Sequence, residues 1–96
     1  MLNSKHRAAL RALANGEETI VFIGKGGITD NVVHQAADAL KARELIKCRV
    51  LENSLLSARE ACNELSLKTG AEQVQVIGSR FVLYLHNPEK KDGIKL

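Results

Sequence analysis

The chain has 96 residues, 45% hydrophobic and 26% charged, with a formal net charge of +3 at neutral pH and an isoelectric point near 9.1. That length allows one domain with a modest core, burying roughly 65% of the surface its unfolded chain exposes, and that composition excludes a disordered or collagen-like chain. No run approaches the ~20 apolar residues of a membrane span, and Lys5, His6 and Arg7 stand where a secretory leader would be apolar, so a cytoplasmic protein with no membrane partner is expected.

Ser4 is placed to cap a first helix in which His6, Ala9, Leu10 and Leu13 share one face, while Arg7 and Arg11, four apart, share another. Gly16 ends it. Thr19 to Ile23 is short, β-branched and continuously apolar, which predicts a strand covered on both faces with Phe22 in the core. Gly24-Lys25-Gly26-Gly27 then leads into a second helix capped by Thr29, with Ile28 and Val33 at the positions of a hydrophobic staple. Val32, Val33, Ala36 and Leu40 form its buried stripe, and Lys41 and Arg43 complement its carbonyl end.

Leu45 to Val50 alternates, with Ile46, Cys48 and Val50 on one face and Lys47 and Arg49 on the other. In a third helix Ala58, Ala61, Cys62 and Leu65 share a face, Ser57 and Glu60 match a capping box, and Gly70 is the expected C′ residue. Val74 to Leu85 reads as two strands around Gly78-Ser79, with glycine where a type II′ turn needs positive φ. Phe81 and Tyr84 are expected inside. Pro88 and the charges from Glu89 to Asp92 mark residues 88–96 as a flexible charged tail on a domain spanning 1–87. Cys48 and Cys62 lack partners at metal-ligand spacing and read as buried free thiols.

The order α-β-α-β-α-β-β places the chain in the α/β class as a single domain. Two strand-helix-strand units imply right-handed crossovers between parallel strands, and the hairpin adds an antiparallel strand, giving a mixed four-stranded sheet with helices packed on it.

The chemistry concentrates in the first strand-to-helix turn. Glycines without Cβ atoms let a ligand approach the backbone, the following helix aims N–H groups at it, and Lys25 adds a cation, so the turn suits phosphate. Gly24-x-Gly26-x-x-Thr29 also approaches the dinucleotide fingerprint, with Glu52 past the second strand as the ribose-binding acid, so a small nucleotide-binding module is the alternative. Thr29 replaces its third small residue, and a chain of this size lacks the second half of such a site. His6, His34 and His86 lie on separate segments and no nucleophile, base and orienting acid converge, so no catalytic residue, metal ligand or cofactor is assigned.

Several landmarks occur together: Leu10-Arg11 and Leu13-Ala14 in a basic first helix, Ile23-Gly24-Lys25-Gly26-Gly27-Ile28-Thr29, Glu44-Leu45-Ile46-Lys47, Thr69-Gly70-Ala71, and Val74 to Gly78 followed by Val82-Leu83-Tyr84. Over Leu2 to about Tyr84 the chain resembles the CRM domain, the RNA-binding module named for chloroplast RNA splicing and ribosome maturation, in its free-standing bacterial YhbY-like form. The resemblance implies a fold similar to the C-terminal domain of translation initiation factor three and a turn likened to the GxxG loop of KH domains. It implies an assembly factor, monomeric and without cofactor, that binds ribosomal RNA in large-subunit precursors. Gly24, Lys25, Gly26 and Gly27 would hold RNA with help from Arg7, Arg11, Lys47, Arg49 and Arg80. Two features depart from the pattern: Leu85 follows Tyr84 where the family often carries a basic residue, and Glu17 and Glu18 put acidity near the binding edge. With three aromatics, all in strands, backbone holding is expected over base stacking, with a slope of log K against log salt of roughly −3.5 if about five phosphates on a single strand are neutralised.

Overall fold

In the computed structural model, which describes residues 2–96, the elements run α1 (Ser4–Ala14), β1 (Thr19–Ile23), α2 (Asp30–Arg43), β2 (Leu45–Val50), α3 (Ala58–Thr69), β3 (Glu72–Ile77) and β4 (Arg80–Tyr84). The order is the one the sequence predicts. The helix starts follow local chemistry: Thr29 Oγ1 accepts from the Val32 amide, and Ser57 and Glu60 exchange the two bonds of a capping box at 3.1 and 2.9 Å. Gly70 ends α3 in the left-handed region. At α1 the cap is Asn3, whose Oδ1 accepts from the His6 amide at 2.8 Å, so Ser4 is the first helical residue and not the cap.

The sheet order is β1-β2-β4-β3. β1 lies parallel to β2, while β4 is antiparallel to both β2 and β3, so the hairpin strand enters between the strands joined by the second crossover. Gly78, at φ +58°, makes the two-residue hairpin connection.

Two cores flank the sheet. On one face α2 and α3 bury Ala36, Leu40, Ala61, Cys62 and Leu65 against Val21, Ile23, Ile46, Cys48, Phe81 and Leu83. On the other face α1 lays Leu10 and Ala14 on Leu45, Val74, Val82 and Tyr84. This buried face of α1 differs from the expected one. Ala9 is exposed and Leu13 is 48% exposed, while half-buried Arg7 sits one turn before Leu10.

α1 packs on β2, β3 and β4 near the start of β2 and the end of β4. The far half of that face is left open, and β1 is an edge strand. Phe22 is therefore 47% exposed, correcting the expectation that β1 is covered on both faces and that this ring lies in the core. Phe81 and Tyr84 are buried as expected.

Glu44 ends α2 at φ +64°, the one non-glycine residue with positive φ among the described residues, and it is fully buried. Its carboxylate accepts from the amides of Asn87 and Ile94, each at 2.6 Å, and meets His86 Nδ1 at 3.1 Å. Burial pushes this carboxyl up, and the two amides with His86 outweigh it, holding the group below its ordinary range. The chain past Tyr84 is thus fastened to the body at Asn87 and Ile94.

Candidate nucleic-acid interface

The parallel pairing of β1 and β2 brings their C-terminal ends together, and the hairpin turn joins them: the Val50 amide donates to the Ser79 carbonyl at 2.7 Å and the Leu51 amide to the Ile23 carbonyl at 2.8 Å. Three loops thus meet at one end of the sheet. The first is the glycine turn. Its Gly27 amide closes on the Gly24 carbonyl at 3.1 Å, and Gly27 takes φ +69°, a conformation glycine adopts without the steric penalty of a side chain. A Cβ at Gly26 would stand 3.1 Å from Thr29 Cγ2, crowding the cap of α2. Lys25 is exposed at the tip.

The third small position of a dinucleotide fingerprint is held by Thr29, whose side chain is committed to capping. Asp30 occupies the first helical position and offsets part of the positive end of α2. Attraction for an anion therefore falls chiefly to the lysine and arginine side chains around the turn.

Register places these. Arg49 pairs with Phe22 on one side and Arg80 on the other, and Arg80 pairs with Ile77, so the four form one row on the face that α1 leaves open. Lys47 lies in the next row, opposite Thr19 and Val82. Gly24, Lys25, Gly26, Gly27, Arg49 and Arg80 therefore lie toward one end of the sheet, while Lys47, opposite the first residue of β1, sits further from the turn on the same face as Arg49. None of these cations has a carboxylate within 4 Å among the described residues; the ion pairs there are Arg43–Glu17, Lys68–Glu64, His86–Glu44 and Lys90–Asp92.

Arg7 and Arg11 stand apart. Arg7 Nε donates to the Gln73 carbonyl at 3.3 Å on β3, the opposite edge of the sheet from β1, about 14 Å away at three interstrand spacings. Helix α1 thus does not flank the glycine turn. Arg7 instead lines a shallow hollow with Arg59 and Gln73–Val76, and Arg11 is exposed one turn along. Glu17, paired with Arg43 at 4.0 Å, and Glu18 precede β1 and lie at the end of that strand away from the turn.

Two residues escaped the sequence reading. Arg59 has no motif of its own and joins Arg7 only through the packing of α3 beside β3. Phe22 was legible only from strand order, since an aromatic in an apolar pentapeptide reads as core until its strand proves to be an edge.

Comparison with known proteins identifies the family and the fold. The family model of the CRS1 / YhbY (CRM) domain matches residues 2–84. The chain is 40% identical over 91 residues to the Probable RNA-binding protein YqeI of Bacillus subtilis, covering 95% of each chain. It is 33% identical over 90 residues to a Haemophilus influenzae RNA-binding protein, covering 94% of this chain and 91% of the other. The solution structure of SAV1595 from Staphylococcus aureus superposes with a TM-score of 0.80 at 44% identity, covering 96% of both chains.

Proposed function

The chain belongs to the CRS1 / YhbY (CRM) domain family, and from that premise we propose that it is a cytoplasmic RNA-binding assembly factor that holds ribosomal RNA in precursors of the large subunit. It is a binding module and not an enzyme. The observation that carries the reading is the grouping of Lys25, Arg49 and Arg80 at the end of the sheet that holds the glycine turn, with Lys47 further along the same face and no carboxylate within 4 Å of these four among the described residues. Uncompensated cations repel one another, and a polyanion relieves that repulsion while releasing its own counterions.

In this reading the Gly24–Gly27 backbone comes close to the sugar-phosphate chain, Lys25 neutralises a phosphate at the tip, and the open sheet face steers the next phosphates. Arg7, Arg11 and Arg59 form a separate basic patch that a folded RNA reaches around the β3 edge. Crosslinking the protein to RNA in cells and sequencing the adducts tests the proposal. Adducts enriched in large-subunit ribosomal RNA, and lost in Lys25→Glu, are expected. Adducts spread over other RNAs without that enrichment refute the ribosomal assignment.

A further inference from the structure

We propose that Phe22 is a stacking platform for a base of single-stranded RNA, with Arg49 and Arg80 gripping the adjoining phosphate. The inference rests on the RNA-binding reading above and adds the strandedness of the ligand to it. Phe22 is 47% exposed and precedes Gly24 by two strand residues, about 6.6 Å, so a chain held at the glycine turn passes directly over its ring.

The row beside it is costly as built. Arg49 and Arg80 are directly opposed across the antiparallel β2–β4 pair, where like charges destabilise a sheet, and neither has an acidic partner within 4 Å among the described residues. A face that needed only to stay wet would gain nothing from that opposition. An anion between the two guanidinium groups turns repulsion into a pair of fork contacts. An exposed apolar ring beside opposed arginines, with Lys47 in the next row, suits a ligand that alternates flat faces with negative charge. A base inside a duplex keeps its faces stacked on its neighbours, so the ring favours an unpaired strand.

The chain contains no tryptophan, so Phe22→Trp introduces a single fluorophore at the platform. Binding of a short fluorescein-labelled oligoadenylate, and of a duplex of equal length, is measured for the full chain and for Phe22→Leu, Phe22→Trp and Lys25→Ala, with thermal melts confirming that each variant folds. Phe22→Leu is expected to weaken single-strand binding about tenfold or more without changing the salt slope, because stacking carries no net charge. Unlabelled oligoadenylate is expected to quench the Phe22→Trp fluorescence in step with binding. If Lys25→Ala weakens binding while Phe22→Leu binds as the parent does, or if the tryptophan emission is unmoved at saturation, stacking is refuted and the RNA-binding reading stands. If the parent chain binds neither RNA, both fall, and a protein surface becomes the occupant to seek.

Discussion

Lys25 sits in solvent between glycines, so its removal is expected to leave folding alone. Lys25→Ala is expected to lower RNA affinity and to reduce the magnitude of the salt slope by about 0.7, the share of one phosphate on a single strand, read by anisotropy titrations across salt concentrations. The turn was legible as a turn because three glycines between an apolar strand and a capped helix mark a bend, and Gly27 takes a positive φ there. Phe22 and Arg7 were not, because their surroundings come from other elements: the edge position of β1 exposes one, and the β3 carbonyl of Gln73 takes the side chain of the other. The two thiols behaved as composition suggested. Burial pushes Cys48 up to about 12 and Cys62 to about 11, so the folded protein is expected to resist a disulfide reagent at neutral pH and to release two equivalents of thiol once unfolded, followed by absorbance.

The helices owe their boundaries to short-range chemistry, which is why most of them can be read from spacing. Ser57→Ala removes one half of the box that starts α3 and is expected to cost about 1 kcal/mol, lowering the melting temperature by roughly 5 °C in calorimetry. The start of α1 shifted by a residue because Asn3 and Ser4 are both competent caps, and only the first places its oxygen on the His6 amide. Its apolar stripe also turned. Leu10 and Ala14 face Val82 and Tyr84, leaving Leu13 outward, a choice set by where the helix crosses the sheet and not by its own periodicity. The hairpin turn obeyed local rules, with Gly78 supplying the positive φ. Its insertion between β2 and β3 did not, since nothing within a strand states which neighbour it takes.

For the molecule as a whole, the cations divide between the open sheet face and turn, with Lys25, Lys47, Arg49 and Arg80, and the α1 flank, with Arg7, Arg11 and Arg59; a salt slope of roughly −3.5 is expected if about five phosphates are engaged, and a slope near zero contradicts phosphate holding. Stability is tied to pH through Glu44. Its folded pKa lies below the unfolded value, so its contribution is complete above about pH 4.5 and is lost as pH falls through the folded value. Glu44→Gln is expected to be less stable at neutral pH and to lose this part of the acid dependence, measured by denaturant midpoints from neutral to acid conditions. A glutamate at a helix end gives no warning in sequence that residues fifty positions later will close over it. The same carboxylate decides where the domain can be cut. The family match stops at residue 84, but a graft ending there would strand an anion in an apolar seam without the amides of Asn87 and Ile94, and an added methyl at Gly93 would fall 2.5 Å from its oxygen. The smallest transplantable unit therefore runs through Ile94, its closing segment serving as a plug that the rest of the molecule cannot supply.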